Sequence, residues 1–268
     1  MKRMEIVREM APEEKELQKK RVELAELEVK LAQRELELVT LQGELNAFQN
    51  RYLQTLGKLF AELDAILAEL AAVQALKRPK NHKAWHKAEQ ARAKAEESAR
   101  SANEAKDKSK SFKPSERLKK LYRDIAKHFH PDLAGEEKER AEYQRIMAEA
   151  NQAYKNGDAK QLEKLFNRGK HSPEFVKGFG AGVDLVRVIR KIAGIEERLN
   201  QITSEMAAIK DSSLFQLKTK YEAMLEKGID LLTEMAGYLN RQITDACIRL
   251  SKAKKLLNEV LENGPQSF

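Results

Sequence analysis

With Cys247 as its only cysteine, this chain has no means of closing an intrachain disulfide or of building a thiolate zinc site. Only 6 prolines and 12 glycines occur in 268 residues, so direction changes are few. Aromatic residues reach just 6%, too little for a large compact core. No apolar run approaches the roughly 18 residues a membrane-spanning helix needs, which excludes a membrane span on this reading. The opening stretch MKRMEIVREM lacks the apolar core of a signal peptide, so the cytoplasm is the expected compartment. Equally missing are a phosphate-binding glycine loop, a nucleophile elbow and a plausible pair of catalytic carboxylates. These absences point away from an enzyme and from a bound cofactor.

What is present is charge and helix-forming side chains. Charged residues make up 34% of the chain, and Ala, Glu, Lys, Leu and Arg dominate. That profile predicts an all-α protein built on long coiled-coil helices. The net charge of +8 is concentrated: 17 Lys or Arg stand against 7 Asp or Glu between Lys77 and Lys127. Such a block suits an acidic partner, although solvated helix faces explain most charge runs and nucleic acid is not the expected ligand.

The first helix is expected to start at Pro12, whose missing N–H is not needed in a first turn, with Glu13 and Glu14 matching the helix dipole. From Leu17, every seventh residue through Leu24, Leu31, Leu38, Leu45, Tyr52, Leu59, Ile66 and Val73 is apolar or aromatic. This heptad seam predicts a coiled-coil helix over 12–77 that requires a partner helix. No in-chain stretch matches its early leucines in length, which favours a homodimer. Pro79 ends the helix. An Ala-rich basic helix capped by Asn81 and a linker, KDKSKSFKP, fill 81–114. A further coiled-coil region is expected over 172–262. It begins with the Ser172-Pro173-Glu174 cap, follows Ile192, Ile195, Leu199, Ile202, Met206 and Ile209, and falters at Asp211-Ser212-Ser213.

Residues 115–168 read differently. Leu118, Leu121, Tyr122, Ile125 and Phe129 form one apolar helix face, and so do Tyr143, Ile146, Met147, Ala150 and Tyr154. Two such helices joined by a short loop should pack antiparallel. Ser115 caps the first, and Pro131 ends it by forcing His130 out of helical geometry. Gly135, Glu136 and Glu137 suit the turn into the second. The outer face of the first helix carries Lys119, Lys120, Arg123 and Lys127. Beyond it the loop His130-Pro131-Asp132 is expected as a rigid, exposed corner suited to recognition.

The stretch LKKLYRDIAKHFHPD (118–132) resembles helix II and the HPD loop of J-domain (DnaJ-like) co-chaperones. NQAY (151–154) resembles the end of that family's helix III. The resemblance implies a class C-type J protein that binds an ATP-bound DnaK-type chaperone and stimulates its ATP hydrolysis. It assigns Tyr122, Arg123, Lys127, His130, Pro131 and Asp132 to that contact, with Lys119 and Lys120 beside them. The family's short helix I is missing, and Phe112 with the Ala-rich helix, or the coiled coil, must take its place. Asp124 stands where the family usually carries a basic residue. On this reading the coiled coils hold a client or scaffold protein. The alternatives are a structural coiled-coil protein with a degenerate hairpin and a nucleic-acid binder using the basic block. His82 and His86, and likewise His128, His130 and Asp132, have spacings that can mimic metal sites, but no metal is expected at either.

Overall fold

The computed structural model describes residues 11–104, 112–134, 137–170 and 181–262. Among the described residues there are eight α-helices: α1 (Pro12–Leu76), α2 (His82–Glu104), α3 (Glu116–Phe129), α4 (Glu137–Lys155), α5 (Ala159–Lys170), α6 (Ala181–Asp211), α7 (Ser213–Leu225) and α8 (Leu231–Glu262). A 3-10 turn, Pro131–Leu133, lies between α3 and α4. The described residues form an all-helical structure, and no described helix is long and apolar enough to cross a membrane. The Gly135-Glu136 turn, most of the KDKSKSFKP linker and the Ser172-Pro173-Glu174 cap lie outside the described residues.

Two breaks leave no mark on the apolar periodicity, and both have local causes. Between α4 and α5, Gly157 takes a positive φ of 72°, and the Asp158 carboxylate accepts from the Gln161 N–H at 2.9 Å. Between α7 and α8, Gly228 does the same at φ 79°, and Asp230 accepts from the N–H groups of Leu232 and Thr233. A glycine in the left-handed region followed within two residues by an aspartate cap is a complete stop-and-restart signal.

The helices divide into two compact units, the described parts of Met1–Glu44 with Phe112–Ser212, and of Leu45–Ser111 with Ser213–Phe268. Each unit is assembled from separate stretches of chain, whereas heptad counting divides the sequence into consecutive segments. Helix α1 contributes residues to both.

In the first unit, α1 buries two adjoining stripes. Leu31 and Leu38 pack with Ile195 and Ile202 of α6, while Leu17 packs with Val188 and Ile192. The polar contacts Arg21–Asp184 and Arg198–Glu35 share one sequence offset, 163 residues. A constant difference, repeated two heptads further along, means that α1 and α6 run parallel in register. The early leucine seam therefore finds its cover within the chain, and the argument for a homodimer from an unmatched seam loses its premise. The second stripe, Ala32, Leu36 and Val39, enters the core formed by α3, α4 and α5.

That core is the densest part of the unit. Helices α3 and α4 lie antiparallel, as the two amphipathic stripes require: Tyr122 and Tyr154 have ring centroids 5.0 Å apart, while Phe129 faces Tyr143 at 5.7 Å. Helix α5 closes it with Leu162 and Leu165, both essentially inaccessible. Phe112 packs edge-on to Tyr154 at 5.8 Å and also lies against Gly43, where a Cβ would come within 2.5 Å of its ring. The small residue on α1 makes room for the aromatic anchor.

In the second unit, Phe48, Leu56, Tyr221, Leu232 and Leu239 form the buried cluster. The antiparallel return of α2 is visible in paired positions: Gly57 lies beside Ala102, and Asp64 holds Lys94 and Ser98. Helix α2 thus finds a partner in the chain despite its small apolar surface. Cys247 on α8 is exposed.

Candidate functional site

The hairpin corner forms as its local sequence dictates. The Ser115 hydroxyl accepts from the Leu118 N–H at 3.2 Å and starts α3. His130 is extended (φ −72°, ψ 136°), as the following proline demands. The chain then tightens into the 3-10 turn, with the Leu133 N–H donating to the His130 carbonyl at 2.9 Å.

The side chains of this corner do not stand out into solvent. His130 is 4% exposed and Leu133 is 9% exposed. Leu133 packs among Leu31, Leu38, Ile195 and Ile202, so the turn is seated on the α1–α6 pair. The Asp132 N–H donates to His130 Nδ1 at 3.2 Å. A backbone N–H can only donate, so Nδ1 is the acceptor and the ring proton sits on Nε2. From Nε2 it is donated to Glu35 Oε1 at 3.0 Å. The same oxygen accepts from Arg198 Nε at 2.7 Å, and Arg198 Nη1 also binds Glu205 at 2.7 Å. Glu35 is 5% exposed. Burial alone would push its carboxyl up, but the bonds from His130 and Arg198 outweigh it and hold the group below its ordinary value.

The exposed corner expected from sequence is thus corrected: His130 is captured, and the Asp132 side chain is only 16% exposed. The Asp132 carboxylate lies 3.5 Å from His130 Nδ1 and 3.7 Å from Arg140. Pro131 is half-buried. Tyr122 is a second correction, because it is fully buried and its hydroxyl donates to Asn151 Oδ1 at 2.5 Å. The apolar stripe that placed Tyr122 on the core face outweighs any outward role in this arrangement.

The basic strip remains reachable at its outer edge. Lys120 and Lys127 are exposed, while Lys119 and Arg123 are half-buried. Lys119 pairs with Glu116 at 2.8 Å, and Arg123 reaches Gln33 of α1 at 3.5 Å. Burial raises the Glu28 carboxyl on α1, and the charges of Lys191, Lys127 and His128 offset only part of that rise. Lys119 is thus engaged by Glu116 of its own helix and Arg123 by Gln33 of α1, while Lys120 and Lys127 are the exposed members of the strip.

Glu35, Arg198 and Leu133 are the site residues that motif reading missed. A glutamate between Leu31 and Leu38 on a seam looks like a solvated flank. The available signal was the second stripe: Ala32, Leu36, Val39 and Gly43 recur at i, i+4, i+7 and i+11, which encloses Glu35 between two buried faces. Among the described residues no cluster of three His, Cys, Asp or Glu side chains is arranged to hold a metal ion.

No family model, curated protein or solved structure matches the chain.

Proposed function

We propose that the chain is a J-domain co-chaperone that recruits a DnaK-type chaperone and stimulates its ATP hydrolysis, with the flanking coiled-coil helices holding a client or scaffold protein. The observation that carries this reading is the antiparallel α3–α4 pair with His130-Pro131-Asp132 at its turn and Lys120 and Lys127 exposed along the adjoining helix. The packing also supports this reading where the family's first helix is missing. Ala32, Leu36 and Val39 of α1, with Phe112, pack into the core of α3, α4 and α5 and add a further helix to the hairpin. Lys119 and Arg123 flank the contact, and Tyr122 serves it from within by fixing α3 on α4.

A second reading, a structural coiled-coil protein whose hairpin only packs, draws on the burial of His130 and Tyr122. The two readings separate in a steady-state ATPase assay with a DnaK-type chaperone. The co-chaperone reading expects stimulation by the full chain and its loss in His130→Gln. No stimulation by the wild type or by variants that free the corner leaves only the structural reading.

A further inference from the structure

The corner that would meet the partner is occupied from within the chain, and the occupation is specific. Glu35 Oε1 on α1 accepts from His130 Nε2 at 3.0 Å and from Arg198 Nε of α6 at 2.7 Å, so one carboxylate oxygen holds the histidine and is itself held by the arginine. Leu133 adds an apolar anchor one residue beyond the motif. A partner that reads His130 and Asp132 directly must displace this set, because the imidazole has both nitrogens engaged and almost no accessible surface. Arg198, from the helix that runs parallel to α1, keeps the Glu35 carboxylate in place and charged for the histidine.

We infer that Glu35, Arg198 and Leu133 form an autoinhibitory latch that holds the His130-Pro131-Asp132 corner closed and admits the DnaK-type partner only when the corner lifts off the α1–α6 pair. This inference rests on the co-chaperone reading and assigns regulation to the same site. The closed state lowers the partner's apparent affinity by the fraction of molecules whose corner is open. Removing one charged contact from a buried network changes such an equilibrium by about tenfold or more. The chemistry of opening is a simple exchange: Glu35 stays paired with Arg198, and His130 Nε2–H is freed to bind the incoming partner.

The test uses the full chain in three forms, wild type, Glu35→Gln and Leu133→Ala, each with and without Asp132→Asn. Amide exchange of the 130–134 segment reports opening, and ATPase stimulation of a DnaK-type chaperone reports function. Protection of Ile125 and Ile146 in α3 and α4 verifies that each variant is folded. Leu133→Ala gives an independent route to opening should Glu35→Gln lose that protection. The latch predicts exchange about tenfold faster in the opened variants and stimulation several-fold above wild type, abolished by Asp132→Asn. Equal stimulation by wild type and opened variants overturns the latch while leaving the co-chaperone reading intact. Unchanged exchange in both folded variants also overturns it. Faster exchange with no stimulation by any form overturns the co-chaperone reading itself, and the regulatory role with it.

Discussion

Helix α1 buries two carboxylates, Glu35 and Asp64, each 5% exposed, and they are held in different ways. Glu35 meets two donors that are themselves largely buried, His130 at 5% and Arg198 at 23% side-chain exposure. Asp64 binds Lys94, which is 69% exposed, and the Ser98 hydroxyl at 2.6 Å. In the first case the partners cannot fall back on water when the carboxylate is removed. In the second the cation already lives in solvent, and only a serine is left without its acceptor. Burial of a carboxylate therefore says little by itself. The burial of what it binds decides whether the contact is a lock or a clasp.

Replacing each carboxylate should break the comparison open, beginning with the largest effect. Glu35→Ala leaves an arginine and an imidazole donor buried without their shared acceptor, a loss of about 3–5 kcal/mol for a buried pair stripped of one member. The expected outcome is faster amide exchange throughout α3, α4 and α5 and a lower urea midpoint for that unit. An effect under about 1 kcal/mol would place Glu35 among solvated contacts and erase the distinction between lock and clasp.

Acid should reproduce part of this loss. The Glu35 carboxyl is held below its ordinary value of 4.5 by His130 and Arg198 once their bonds have overcome burial. A carboxyl lowered on folding contributes stability that is complete above the unfolded value and is lost as pH falls through the folded one. Wild type and Glu35→Gln should therefore differ most at neutral pH and converge below about pH 4.5. The check is a pair of urea titrations at several pH values. A gap that widens on acidification would contradict the assignment of direction.

Asp64→Ala is expected to cost less, about 1–3 kcal/mol, mainly through the orphaned Ser98 hydroxyl and the space left between α1 and α2. Exchange should rise in α2 while α3 and α4 stay protected. If Asp64→Ala proves as costly as Glu35→Ala, exposure of the partner is not the deciding variable.

The same distinction explains what could be read from the chain and what could not. The α3 and α4 stripes, Leu118 to Phe129 and Tyr143 to Tyr154, were legible because a single helical period buries one face of each. The Pro12 start and the Pro79 stop were legible because proline acts on its own backbone. Helix α5 was overlooked because its signal, Gly157 followed by Asp158, interrupts a stretch whose apolar period continues through Leu162 and Leu165. The capture of His130 was not legible at all from the motif. It depends on Arg198, 163 residues from Glu35, and on a second buried stripe of α1 made of small residues that heptad counting passes over. Motifs announce what a corner is built from, and long-range packing decides whether it is presented.

The smallest expected effect sharpens the contrast most. Lys94→Ala removes the cation from the Asp64 clasp but leaves the carboxylate bonded to Ser98. An ion pair with so exposed a lysine contributes between about 0 and 1 kcal/mol after screening. Salt should shrink even that contribution, because added ions screen exposed charges and leave buried ones largely untouched. Arg198→Ala, the matching deletion in the other unit, strips Glu35 of a donor that is mostly out of solvent and should keep its cost as salt is raised. Urea midpoints for both variants at low and high ionic strength give the comparison directly. A salt-insensitive Lys94→Ala with a cost near that of Arg198→Ala would mean that the lysine is held as tightly as the arginine, and the clasp would have to be counted as a second lock.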